Sequence, residues 1–212
     1  MNGSLVFSLI DSAKNIADLG SGLQGSHWWP RVREESWIDA FDMLFDTKLT
    51  RNNVAFYKLD ASQLHTRPEF EGKYDLIVAD HIFEHVQDPE GLARSIRYAV
   101  RSGGYVHVGI PDATNFTDIF YRLVHVRSGG HLQKFSKQSM IDLMTSFGFT
   151  LESCEPWADD WKWLEHCFDL KYNQVENVSA EEITYLCDTF RKELTPAKGY
   201  VYGYEYVFKL NE

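Results

Sequence analysis

The chain has 212 residues, of which 44% are hydrophobic, and carries 31 acidic against 21 basic side chains for a formal charge of -10. That length suits one domain with its own core, while the acidic balance and scattered Lys and Arg exclude a partner bound mainly through its phosphates, so no nucleic acid is expected. No apolar run approaches the ~20 residues that span a bilayer, so no membrane insertion is expected. Cys154, Cys167 and Cys187 are odd in number, with no CxxC pair and no secretory leader, which fits a reduced, cytoplasmic compartment.

Short apolar runs alternate with helical periodicity, the pattern of a parallel sheet covered on both faces. Strands are expected at Ile16–Leu19, Trp37–Asp39, Val54–Leu59, Tyr74–Ala79 and Tyr105–Ile110, then at Thr150–Glu155 and Tyr200–Leu210. After the first strand, Pro30 in "SHWWPRVREES" limits any crossover helix to a short piece and leaves His27, Trp28 and Trp29 to a packed loop. "DPEGLARSIRYAV" reads as a helix with Asp88 as N-cap, Pro89 at its first position and Leu92, Ile96 and Val100 on one stripe, stopped by "RSGG". "SKQSMIDLMTSFGF" reads as another, capped by Ser136, striped by Met140, Leu143, Met144 and Phe147, and ended by Gly148. Trp157–Lys171 is rich in aromatics and acids and reads as helix or cover. No repeat or linker interrupts the chain, so 1–212 is one domain.

The stretch "NIADLGSGLQG" spaces its glycines as Gly-x-Gly-x-x-Gly, which suits any ligand lying against the main chain. A dinucleotide's pyrophosphate would be repelled by Asp18, two residues before Gly20, whereas a cation would be attracted. A ligand carrying an ammonium and a sulfonium suits that carboxylate.

With "SWIDAFD", "LDASQL", "YDLIVADHIFEHVQDPE", "RSGGYVHVGIPD" and "HLQKFSKQSMIDLMTSFGF" following in order, the chain from Asn15 to Phe149 resembles the small-molecule, Ubi-like branch of the class I S-adenosylmethionine-dependent methyltransferases. The resemblance implies an α/β fold: a doubly wound, mostly parallel seven-stranded Rossmann-like sheet with its last strand antiparallel. It also implies a cofactor-binding half at about 1–110 and substrate-side elements at about 111–178.

By that resemblance Gly20, Ser21 and Gly22 let the backbone approach S-adenosyl-L-methionine, and Asp18 holds its amino group. Asp39 closes the second strand, where a carboxylate can accept both ribose hydroxyls, a device NAD enzymes share. Asp60 and Ala61 meet the adenine edge unless Asp60 is a plain helix cap, and Ala40 and Phe41 flank the ring unless they are core. The Asp80-His81 backbone passes under the sulfonium.

Methyl transfer is an in-line displacement that needs alignment and, for some acceptors, a base. His85 and His131 are the candidate bases, each with an ordinary structural alternative, and Asp112 orients the acceptor or opens the next segment. Tyr121, Arg122 and Arg127 are expected to cover the acceptor, and Trp157, Trp161 and Trp163 to wall a pocket or join two copies as a homodimer. No metal site is expected, because the eight histidines form no HxH or HxxxH pair and "DATN" misplaces Asn115 for a catechol-type site. The function expected is methyl transfer to oxygen or nitrogen of a small-molecule or saccharide acceptor. Its alternatives are an NAD-dependent oxidoreductase, though a Tyr-x-x-x-Lys pair is missing, and a non-catalytic cofactor-binding module.

Overall fold

A computed structural model describes residues 4–22, 25–44, 52–115, 118, 122, 130–157, 179, 181, 185 and 202–211. Seven strands form one sheet: β1 (Asn15–Leu19), β2 (Trp37–Phe41), β3 (Val54–Tyr57), β4 (Tyr74–Asp80), β5 (Val100–Pro111), β6 (Phe149–Trp157) and β7 (Gly203–Leu210). Their order is β3-β2-β1-β4-β5-β7-β6, and β7 runs antiparallel to both neighbours while β1 to β5 are parallel. The expected doubly wound α/β sheet is the one observed.

β4, "YDLIVAD", is apolar at almost every position because both of its faces are covered. On one face Leu19, Phe41, Ile77, Ala79 and Val108 pack with α2 (Pro89–Ala99) and α3 (Lys137–Ser146) through Leu92, Ile96, Met140 and Met144. On the other, Ile16, Ile38, Ala40 and Val78 pack with α1 (Ser4–Ser12) and with Trp28 and Trp29. Caps fix the helix starts as expected: Asp88 accepts from the amide of Gly91, and Ser136 forms a reciprocal capping box with Ser139.

Several boundaries differ from the sequence reading. β2 does not stop at Asp39 but continues to Phe41, which moves the strand end two residues on. β3 ends at Tyr57, so Asp60 and Ala61 lie beyond it. "RSGG" does not stop α2, which ends at Ala99 and passes directly into β5; both glycines are inside that strand. The described part of the crossover after β1 holds one 3₁₀ turn, Trp29–Arg31, with Pro30 in its first turn and Val32 already extended at φ -68, ψ 130. α1 was not foreseen. Tyr121, Arg127, Trp161 and Trp163 lie outside the described residues.

β1 and β4 are neighbours, with β2 and β3 on one side and β5 on the other, so the order reverses at their junction. Open α/β sheets bind ligands outside the carboxyl ends of strands at such a switch point. The segments following Leu19, Phe41, Asp80 and Pro111 share that edge.

Candidate active site

The glycine turn is pinned to the end of β2. The amides of Gly20 and Ser21 donate to the carbonyl of Phe41 at 2.8 and 3.3 Å, and that of Gly22 donates to Asp42 Oδ2 at 2.8 Å. Gly22 has φ +69, and a methyl group built there meets no described residue within 4 Å, so the turn is open at Gly22, whereas one built at Gly20 would touch Ile82 at 3.5 Å. The Ser21 hydroxyl is buried and has no partner among the described residues.

The third glycine of the motif serves a different end. A methyl group at Gly25 would stand 2.3 Å from Cζ3 of Trp29, and the backbone there has φ +74. Gly25 therefore makes room for an indole, and Trp29 Nε1 donates to Asp18 Oδ2 at 2.7 Å, joined by the Ser26 hydroxyl at 2.6 Å. Burial pushes the Asp18 carboxyl up to about 7 even though these two donors act to lower it, and the charges of Asp80 and Asp42 add to the rise. No described residue donates to Oδ1.

Asp39 sits in the floor, not at the edge. It is fully buried, salt-bridged to Lys73 Nζ and accepting from Tyr74 Oη at 2.7 Å and Trp37 Nε1 at 2.9 Å. Ala40 and Phe41 are fully buried too, Phe41 against the rings of Tyr57, Phe70 and Tyr74. The carboxylate at the strand end is Asp42, which the sequence reading passed over. Its Oδ1 accepts from the amide of Leu44 at 2.7 Å, and Met43 and Leu44 beside it are 56% and 76% exposed. Two exposed apolar residues after a strand-end acid were the signal that could have found it.

Asp60 caps a 3₁₀ helix at Ala61–Thr66, its Oδ1 accepting from the amide and hydroxyl of Ser62, and Ala61 is buried. At the end of β4 the Asp80 carboxylate lies where a Gly109 side chain would stand, 2.0 Å from the built methyl. His81 follows in the left-handed region at φ 54, its amide donating to the Gly109 carbonyl at 2.9 Å. A non-glycine residue held there at a strand end is a feature of functional sites.

His85 and His131 do come together, with ring centroids 5.0 Å apart. His131 Nδ1 pairs with Asp118 Oδ1, and Arg122 Nε donates to Asp118 Oδ2 at 2.5 Å while its Nη1 donates to the His131 carbonyl at 2.7 Å. Burial acts to raise the Asp118 carboxyl, but the hydrogen bonds from His131 and Arg122 prevail and hold it below the ordinary carboxylate range. An ionised Asp118 only accepts, so the proton of a neutral His131 ring sits on Nδ1 and the lone pair on Nε2. The segment that carries His131 is docked by the amides of Leu132 and Gln133, which donate to the Glu84 carbonyl at 2.6 and 3.0 Å.

Asp112 is not brought to this pair as an acceptor-facing group: it is buried and turned into its own loop, accepting from the amide and hydroxyl of Thr114 at 2.9 and 2.7 Å. Arg122 clamps the His131 loop. Trp157 packs edge-on to His81, with centroids 5.3 Å apart.

A family model described as a methyltransferase domain matches residues 5–154, most of the chain. The chain belongs to the methyltransferase-domain family. Its sheet is that of the class I methyltransferase fold, and solved structures share it. A Bacillus halodurans protein described as a methyltransferase is 17% identical, with 98% of each chain covered and a TM-score of 0.67. A SAM-dependent methyltransferase from Archaeoglobus fulgidus is 14% identical over 97% of this chain and 90% of that one, at 0.64. The 1,6-didemethyltoxoflavin-N1-methyltransferase of Burkholderia thailandensis, with its substrate and S-adenosylhomocysteine bound, is 9% identical over 99% and 78%, at 0.61. No curated protein matches this methyltransferase in sequence. Among its described residues, no helix is long and apolar enough to cross a membrane.

Proposed function

We propose that this methyltransferase moves a methyl group from S-adenosyl-L-methionine to an oxygen, or failing that a nitrogen, of a small-molecule or saccharide acceptor. One observation carries the reading: a glycine turn open to space on one side is flanked by two carboxylates, Asp18 and Asp42, at the switch point of the sheet. That charge suits a ligand with an ammonium and two ribose hydroxyls and opposes a pyrophosphate.

The residues fit the cofactor. Gly20 and Gly22 give backbone access, and the buried Ser21 hydroxyl awaits a polar partner. Asp18 receives the amino group. Asp42, at the strand end in place of Asp39, accepts the ribose hydroxyls, and Met43 and Leu44 flank the adenine near Asp60 and Ala61. Asp80 and His81 border the sulfur end. When bound, the cofactor supplies an electrophilic methyl group on a sulfonium. The chain must then hold the acceptor in line and receive or release its proton. That task falls to the edge formed by His85 and His131, with Asp118 fixing the ring and tautomer of His131. A histidine edge suits a hydroxyl, which needs to lose its proton, better than an amine, and so favours oxygen. The cytoplasm is the compartment proposed, from three cysteines that form no CxxC pair.

The test is transfer of labelled methyl from S-adenosylmethionine to a size-fractionated small-molecule extract. Label in compounds below protein size, with S-adenosylhomocysteine as co-product, supports the reading. Tight S-adenosylhomocysteine binding with label in no fraction overturns it.

A further inference from the structure

Three side chains at the acceptor edge, from two separate sequence motifs, converge. One ligand atom each from Glu84, His85 and His131 lies within 4.8 Å of the other two. Glu84 follows β4 and is buried, and its Oε1 meets His81 Nδ1 at 3.0 Å. Its Oε2 is buried with no partner among the described residues. A buried carboxylate oxygen left so is costly where nothing compensates it, and a cation is the compensation that fits a site shared with two imidazoles.

The surroundings of His131 point the same way. The Asp118 carboxylate on Nδ1 leaves the neutral ring's lone pair on Nε2, the arrangement in which a carboxylate behind a histidine fixes its tautomer and raises its strength as a ligand. Arg122 holds that carboxylate through its other oxygen. His85 faces His131 from the opposite segment and is itself exposed, so the cluster opens to solvent on its side.

We propose that Glu84, His85 and His131 form a binding site for one divalent first-row transition cation, with zinc the commonest occupant. Small side-chain rotations bring the three atoms onto one ion at bonds of about 2.0–2.2 Å. Two imidazoles and one carboxylate select such a cation over magnesium or calcium, which prefer all-oxygen shells. Three protein ligands leave a coordination position for water or for an acceptor hydroxyl. With both imidazole lone pairs on the cation the histidines no longer take the proton themselves; a hydroxyl bound there loses it to solvent, because the cation stabilises the oxyanion. The acceptor role rests on the methyltransferase reading; the cation site does not.

The test uses the full chain, stripped with a chelator and titrated with Co²⁺ and Zn²⁺ by calorimetry and, for Co²⁺, by visible absorption. One equivalent should bind, and Mg²⁺ at the same concentration should not displace it. H85A, H131A and Glu84→Gln should each weaken binding at least ten-fold, and Asp118→Asn about ten- to a hundred-fold. S-adenosylhomocysteine affinity, measured on every variant, should stay within two-fold, which reports that each is folded and tests the cofactor reading separately. Failure of the wild type to take either ion below millimolar concentration overturns the site. So does binding that the exposed variant H85A and H131A both leave unchanged.

Discussion

Trp29 donates its indole proton to Asp18 from eleven residues away, at 2.7 Å, in a buried contact made possible only because residue 25 lacks a side chain. The pair lies in a crossover whose described helical part is one 3₁₀ turn, Trp29–Arg31. It supports a carboxylate that burial raises to about 7, so the apo site holds a partly neutral acid near physiological pH.

Stability should carry the mark of that carboxyl. Its folded value lies above its unfolded 3.8, so the folded state binds the extra proton. The contribution is fully present below about 3.8 and is lost as pH rises to about 7. Three units correspond to about 4 kcal/mol at most. Urea unfolding at pH 5 and pH 8 should show wild type losing stability relative to Asp18→Asn by a sizeable part of that amount. Parallel curves would remove Asp18 from the account.

Ligand affinity should run the opposite way. The ammonium of S-adenosylhomocysteine favours the ionised carboxylate, so Kd should fall as pH rises from 6 to 8 and level off above. Asp18→Asn should bind more weakly at pH 8 and show no such trend. A wild-type Kd that is flat across this range contradicts the contact.

Gly25 and Gly22 share a left-handed backbone but not surroundings. Gly22→Ala should cost about 1–2 kcal/mol, the conformational penalty alone, because its methyl enters open space. Gly25→Ala adds a collision with Trp29 and should cost clearly more. Thermal unfolding of the two variants decides the order.

Asp39 and Asp42 separate packing from ligand contact. Asp42→Ala should weaken S-adenosylhomocysteine at least ten-fold, while Asp39→Ala should destabilise the fold by about 1–3 kcal/mol by stranding the buried Tyr74 hydroxyl and removing the partner of the half-buried Lys73. Calorimetry and urea unfolding of both variants give the answer. The reverse pattern would return the ribose to Asp39.

His131→Ala should lower turnover about a hundred-fold or more, with S-adenosylhomocysteine Kd nearly unchanged. Asp118→Asn should follow it in smaller measure, since Asp118 acts through the ring. Steady-state rates with any acceptor that the labelling assay yields would show it.

The sheet was legible because seven short apolar runs and two well-capped helices each carry a local signal. The end of β2 was not, because Ile38 to Phe41 are buried on both faces and the two acids of "WIDAFD" stand three residues apart with nothing in the spacing to rank them. α1 did leave a trace, with Val6, Ile10 and Ala13 on one stripe, in a segment too short to draw notice. Of the acceptor edge, the sequence offered His85 and His131 singly. Their meeting depends on the chain returning after β5 to dock on the Glu84 carbonyl, and Asp118 pairs with His131 from thirteen residues away, a contact that no motif marks.

On the proposed function, Asp18 and Asp42 beside the glycine turn select a nucleoside bearing an ammonium over a pyrophosphate. Titrating S-adenosylhomocysteine and NADH separately into the protein at pH 8 tests it most directly. One saturating site for S-adenosylhomocysteine is expected, abolished or much weakened in Asp42→Ala, with no binding of NADH. Saturable binding of NADH with none of S-adenosylhomocysteine would contradict it.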